Sequence, residues 1–233
     1  MSSPEIFTRH IRSFVRRDGR MTDARRRVLA ELWPHFGLEV SAGMQQFTEV
    51  FGRPAPVILE IGFGSGASLL EIARAHPDKD FIGIETYQPG MGTLLLGIEQ
   101  HALKNIRLYY ADAVDVLTQC IPDNCLAGMQ IFFPDPWPKR RHHKRRLIQP
   151  TFVERVTKKL VTHGIFHLAT DWEHYARQMM QVLGQSPQLL NLSGAGNFSP
   201  RSSQRLVTTK FEQRGEKSGR AIWELQFARA EAG

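Results

Sequence analysis

The residues with the spacing for chemistry fall in a few short stretches of this 233-residue chain. The first is Leu59-Glu60-Ile61-Gly62-Phe63-Gly64-Ser65-Gly66-Ala67, where an apolar run gives way to glycines and then to a helical pattern. Glycines there permit a tight turn and a close backbone approach to a ligand, with a helix N-terminus behind it. Gly62, Gly64 and Ala67 satisfy the G-x-G-x-x-A spacing of a dinucleotide loop, while Glu60, Gly62, Gly64 and Gly66 give E-x-G-x-G-x-G. Glu85 ends the next apolar run and Asp112 the one after it. A carboxylate at the place of Glu85 accepts both hydroxyls of a ribose, whichever nucleotide cofactor carries it. Asp112 has a second reading as the cap of the helix that follows.

A further stretch, Ile131-Phe132-Phe133-Pro134-Asp135-Pro136-Trp137-Pro138-Lys139, ends the fourth apolar run. Its three prolines fix the backbone, so Asp135 and Trp137 are held in place. It resembles, without matching, the [DN]-P-P-[YFW] loop of amino-methyltransferases, with Trp137 at the second proline. The run Lys139-Arg140-Arg141-His142-His143-Lys144-Arg145-Arg146 follows directly.

These stretches need a scaffold that brings strand ends together. The expected strands are Val57–Ile61, Phe81–Ile84, Ile106–Tyr110, Gly128–Phe133 and Ile165–Ala169. Helical patterns follow them over 67–76, 89–103, 114–119, 150–161 and 173–183. Five β-then-α units predict an α/β fold with a doubly wound, mostly parallel sheet. Leu189–Leu192 and Ala221–Arg229 read as two added strands closing one edge, joined across a Ser/Gly/Pro-rich loop. Upstream, the spacing of Val28, Leu29, Leu32, Trp33 and Phe36 predicts a helix over 22–36, capped by Thr22 or Asp23. The breaker Gly52-Arg53-Pro54-Ala55-Pro56 divides the chain into a basic arm and helix, 1–52, and a main domain, 53–233.

Composition narrows the function classes. Two cysteines cannot staple a chain of this length, and ordinary Gly and Pro contents with 42% hydrophobic residues exclude collagen-like and disordered classes. No apolar stretch reaches the length of a membrane span, so no membrane partner is expected. The net charge is +7, of which residues 1–27 carry +5 and residues 139–146 carry +6, leaving a mildly acidic body. Two basic segments on an acidic body suit a polyanion, with nucleic acid first. The Arg-rich start also has the character of an organellar transit peptide. Cys120 and Cys125 with His142 and His143 do not make a convincing tetrahedral zinc site; reduced thiols in a cytoplasmic protein are the expectation, with no metal.

The E-x-G-x-G-x-G loop resembles motif I of S-adenosylmethionine-dependent methyltransferases. Taken with Phe133–Lys139 and its basic sequel, Ala169-Thr170-Asp171-Trp172, Thr209-Lys210-Phe211-Glu212-Gln213-Arg214-Gly215 and the amino-terminal Ile11–Arg17 and Gly19–Thr22, the chain resembles the bacterial tRNA (guanine-N7)-methyltransferase family from about residue 9 to 228. The amino-terminal match weighs against a transit peptide. The resemblance implies a Rossmann-like methyltransferase fold and methyl transfer to N7 of guanosine 46 in the variable region of tRNA. It places cofactor contacts on Glu60, Gly62, Gly64, Gly66, Glu85, Asp112 and Asp135, with Asp112 meeting the adenine amino group and Asp135 also the catalytic residue. It puts substrate contacts on Lys139, Asp171, Thr209, Lys210, Phe211 and Glu212, and RNA contacts on Arg140, Arg141, Lys144, Arg145 and Arg146. Such a grip on phosphates weakens steeply with salt. Asp171 and Glu212 also have readings as helix caps, Glu212 through the box Thr209-x-x-Glu212. The alternatives are an amino-methyltransferase acting on another nucleic-acid base and an NAD-dependent oxidoreductase.

Overall fold

The computed structural model describes residues 22–203, 205–208, 212–213, 215 and 218–231. The basic arm before Thr22 and the expected contacts Thr209, Lys210 and Phe211 lie outside the described residues.

The chain opens with α1 (Asp23–Phe36), whose first turn is closed by Thr22 Oγ1 accepting from the Arg25 amide. A two-residue strand β1 (Gly37–Leu38) and a short helix α2 (Phe47–Phe51) follow; neither was legible in the apolar pattern. The regular part is β2 (Val57–Ile61), α3 (Ala67–Ala75), β3 (Asp80–Ile84), α4 (Gln88–Gln100), β4 (Ile106–Tyr109), α5 (Ala113–Gln119) and β5 (Leu126–Phe132). A 3-10 helix (Arg140–Arg145) leads to α6 (Pro150–Lys159), β6 (Leu160–Thr170), α7 (Glu173–Gly184), β7 (Leu189–Asn191) and β8 (Trp223–Arg229). Proline stands in the first turn of α4 and of α6, where its missing N–H costs no helical bond. Strand β6 runs longer than its apolar core, because its first residues Leu160–His163 extend beyond a bulge opposite β5.

The eight strands form one sheet in the order β1-β4-β3-β2-β5-β6-β8-β7. All neighbours are parallel except β8, which is antiparallel to both β6 and β7. The expected doubly wound sheet is thus observed, and the two added strands close one edge as a reversed pair. The strands β2 to β5 are nearly apolar throughout, as a sheet covered on both faces requires. One apolar cluster joins α1, α3 and α4 to the sheet, and another joins α5, α6 and α7 to it. Residues 22–52 do not stand apart: β1 extends the sheet beside β4, and Arg25 of α1 lies so close to α4 that a Cβ on Gly92 would stand 2.9 Å from its Cβ.

The sheet reverses its winding between β2 and β5. From β2 the chain moves outward through β3 and β4; from β5 it moves the other way through β6. The carboxyl ends of these two strands therefore border the crevice in which such sheets bind ligands.

Candidate active site

Gly62, Gly64 and Gly66 all take left-handed backbone, with φ of 77°, 60° and 78°. A Cβ on Gly66 would stand 2.7 Å from Leu94 Cβ, so that glycine serves packing against α4. A Cβ on Gly62 or Gly64 would meet nothing within 4 Å: this side of the loop opens on free space where a ligand can approach the backbone. Helix α4 presses on the loop from below, since a Cβ on Gly90 would fall 1.8 Å from the Gly64 carbonyl oxygen.

The carboxylates gather around this loop. Glu85 accepts from the amides of Gly64 (2.7 Å), Thr86 (2.6 Å) and Tyr87 (3.0 Å). Burial raises its pKa, and the backbone donors hold it back. Glu60 is 3% exposed and accepts from Gln130 Nε2 at 2.8 Å. Burial above all pushes its pKa up to about 7, opposed by Gln130 and assisted by the charge of Glu85. Asp112 caps α5 through Oδ1, which accepts from the Val114 amide at 2.9 Å, so its capping role is observed, in the turn between β4 and α5.

The loop after β5 leaves the strand beside β2, at the same end of the sheet as the glycine loop. Phe133 continues the ladder by donating to the Ala169 carbonyl, yet it has φ 52°, and Trp137 has φ 43°. Two side-chain-bearing residues in left-handed backbone bracket the half-buried Asp135, and the surroundings must hold them there. Arg146 Nε donates to the Pro136 carbonyl at 2.8 Å, and Arg145 lies over the Trp137 ring at 5.0 Å from its centroid. His142 meets Trp137 edge-on at 5.8 Å. Lys139, Arg140, Arg141, Lys144 and Arg145 are exposed and form the basic surface next to Asp135.

Two expected contacts are buried in the free protein. Arg146 is not an exposed grip on phosphate: it is 2% exposed, donates to Pro136, His174 and Gln178, and lies over Tyr175. It turns inward because Leu147 and Ile148 begin the next apolar segment and carry their neighbour with them. Glu212 is enclosed as well. It is 1% exposed and paired with Arg205 and with Arg201, the latter at 3.2 Å. Asp171 is better placed. It is half-buried, it does not cap α7, whose capping residue is Trp172, and its Oδ2 pairs with Arg220 Nη1 at 2.8 Å.

The sequence reading missed a polar row inside the sheet. Glu60, Gln130, His167 and Gln226 stand in register on adjacent strands β2, β5, β6 and β8. Their signal was a polar residue in an apolar run, at matching positions. It missed Arg205 as well, which is 2% exposed, bonds Glu212 and Glu224, and covers the rings of Phe132 and Phe133 at 5.2 and 5.4 Å. Glu224 in turn accepts from the Ser202 amide and meets His167 Nε2 at 2.6 Å, and these partners outweigh burial and lower its pKa.

A family model described as "Putative methyltransferase" matches residues 54–225. The tRNA (guanine-N(7)-)-methyltransferase of Alcanivorax borkumensis is 55% identical over 219 residues, 94% of this chain and 91% of that protein. That of Idiomarina loihiensis is 52% identical over 221 residues, 95% and 90% of the two chains. The chain belongs to the tRNA (guanine-N7)-methyltransferase family. The fold of this family member is shared with two solved structures of lower identity. A 16S rRNA methyltransferase, KamB, superposes with a TM-score of 0.55 at 14% identity, covering 79% of this chain and 93% of that one. The aminoglycoside resistance methyltransferase NpmB1 gives 0.52 at 12% identity, covering 79% and 92%.

The methyl donor of such an enzyme is S-adenosylmethionine, and the residues here fit it. The donor carries positive charge on its sulfonium and amino group, and the open face of Gly62 and Gly64 lies beside the Glu85 carboxylate, which accepts from the Gly64 amide. Membership of this family sets the oxidoreductase reading aside.

Proposed function

We propose that this protein transfers the methyl group of S-adenosylmethionine to N7 of guanosine 46 in the variable region of tRNA, in the cytoplasm. One observation carries the reading: the acid-lined glycine loop after β2 and the Asp135 loop after β5 flank one crevice, and the Asp135 loop runs straight into an exposed cationic surface. Such a crevice takes a cationic donor from one side and a polyanion from the other.

Guanine N7 is an sp² nitrogen with a free lone pair, so no proton leaves before attack and no general base is needed. When bound, the donor supplies an electrophilic methyl group whose bond to sulfur breaks as the bond to N7 forms. The chain contributes alignment: Glu85 and the glycine loop fix the donor, and the paired prolines fix Asp135 opposite. Positive charge passes to the base, and Asp135 offsets it electrostatically. Asp171 presents a carboxylate to the N1–H and N2–H₂ edge that distinguishes guanine from adenine. Lys139 and the exposed arginines of the 3-10 helix hold phosphates. Because N7 lies in a groove of A-form RNA too deep for side chains, the tRNA core must loosen or the base be extruded.

The test is incubation with methyl-labelled S-adenosylmethionine and unmodified tRNA transcripts, followed by mapping of the label to nucleotide and atom. Label on N7 of guanosine 46 is the expected result. Label on an exocyclic amine would favour the amino-methyltransferase reading, and label on another guanosine would discard the position.

A further inference from the structure

Asp171 is gripped by a turn from late in the chain. Thr170, the last residue of β6, pairs with Trp223, the first of β8, so Asp171 and the residues just before Trp223 emerge at one end of the sheet. There the amides of Ser218 and Arg220 both donate to the Gly215 carbonyl at 3.0 Å, and Gly219 turns the backbone with φ 67°. Two members of this turn meet Asp171. Arg220 donates from Nη1 to Oδ2 at 2.8 Å. Gly215 makes the room: a Cβ there would stand 3.0 Å from Asp171 Cβ and 3.3 Å from Oδ2.

Stability does not account for this grip. The Arg220 and Asp171 side chains are 38% and 19% exposed, and an ion pair this open adds little to folding. Glu212 is the contrast, held by two arginines at 1% exposure. What the turn provides is an accessible carboxylate with a set direction. The terminal torsion of an aspartate is broad, so an unheld Asp171 would have to be ordered by each incoming ligand. A single guanidinium nitrogen on Oδ2 leaves acceptor sites on both oxygens. The pair is also neutral as a unit, so a base that gains positive charge beside it meets no net repulsion.

We infer that Arg220 is a positioning residue for base discrimination: with Gly215 it aims the Asp171 carboxylate so that both oxygens meet N1–H and N2–H₂ of the target guanine together. The inference rests on Asp171 as the reader of that edge and deepens that reading. Two parallel hydrogen bonds fix the direction of a carboxylate more strictly than one does. A carboxylate that swings free keeps one of them and loses the second, which is the bond that separates guanine from a base without the N2 amine.

The test uses the full chain and two tRNAs that differ only at the target, one with guanosine and one with inosine, which lacks that amine. The readout is the ratio of kcat/KM for N7 methylation of the two, in which overall stability and the reactivity of N7 cancel between proteins. Wild type should favour guanosine about tenfold, the scale of one hydrogen bond to a charged group. Arg220→Met should bring the ratio below about threefold through loss on guanosine, with a thermal midpoint close to wild type. Arg220→Lys should restore it to within about twofold, because a contact through one nitrogen does not need the guanidinium fork. Gly215→Ala keeps Arg220 but displaces Asp171, and should lower the ratio as well. A ratio that stays at the wild-type value in Arg220→Met overturns the inference and makes Arg220 an ordinary surface partner. A wild-type protein that does not distinguish the two bases, or an Asp171→Asn variant that distinguishes them as well as wild type, instead overturns Asp171 as the reader on which the inference rests.

Discussion

The Glu85 carboxylate is tied to the Gly64 amide at 2.7 Å, so the residue that ends β3 holds the loop that ends β2. The same carboxylate is the one expected to accept the ribose hydroxyls, which makes loop shape and cofactor grip a single property. Glu85→Ala should weaken binding of S-adenosylhomocysteine about 10- to 100-fold by calorimetry while tRNA affinity stays close to wild type. Unchanged cofactor affinity would remove Glu85 from the site.

Glu60 gives the site a pH dependence near neutrality. Its folded pKa is raised, from 4.5 to about 7, because burial disfavours the ionised form. The unfolded chain therefore releases this proton near pH 4.5 while the folded protein keeps it until about 7. Stability attributable to Glu60 falls across that interval and levels off above it. Glu60→Gln should remove the fall and stabilise the free protein at pH 8 by on the order of 1–3 kcal/mol, read as a rise in the thermal midpoint. A cationic donor favours ionised Glu60, so wild-type affinity for S-adenosylmethionine should rise from pH 6 to 8, and the variant should bind more weakly with a flat profile. Parallel profiles would show that Glu60 does not meet the donor's charge.

Asp135 stands between two left-handed residues and next to the cationic surface, but it belongs to neither the glycine loop nor the phosphate grip. Asp135→Ala should lower kcat by about 10²–10³, the scale of losing one preorganised electrostatic partner, with tRNA binding nearly intact in a filter-binding assay. An equal loss of tRNA affinity would make it an RNA contact instead.

Arg205 bridges Glu212 and Glu224, and all three are nearly inaccessible to solvent. Removing one partner of such a network leaves a buried charge uncompensated. Arg205→Met should cost about 3–5 kcal/mol in denaturant unfolding, with Glu224→Gln losing less because the amide still bonds the Ser202 amide and His167. A loss under about 1 kcal/mol for Arg205→Met would show that the network relaxes to admit water.

The parts of the fold that repeat were legible, since β2 to β5 and their helices are apolar runs closed by Gly, Asp or Pro with a local physical reason. The acids near the strand ends were legible for the same cause: an acidic residue interrupting or closing an apolar run, as Glu60, Glu85 and Asp112 do, stands out against it. The basic run hid its one inward member, because a string of like charges has no period and only Leu147 and Ile148 just beyond it hint at Arg146. Glu212 and Arg205 were opaque for another reason. Arg205 pairs with Glu212 in its own segment and with Glu224 on β8, and an irregular segment has no periodicity to announce such a pairing. The strand Gly37–Leu38 was too short to leave any alternation.

The latest in sequence of the described strands, β8, is not the outermost in the sheet; it slots between β6 and β7. During synthesis β6 therefore exposes a bare edge and β7 has no neighbour until residues 223–229 arrive. Glu224, which anchors Arg205 beneath Phe132 and Phe133, arrives with them. A nascent chain can thus assemble the glycine-loop half early, but the backing of the Asp135 loop waits for β8, which ties the finished site to the arrival of residues 223–229.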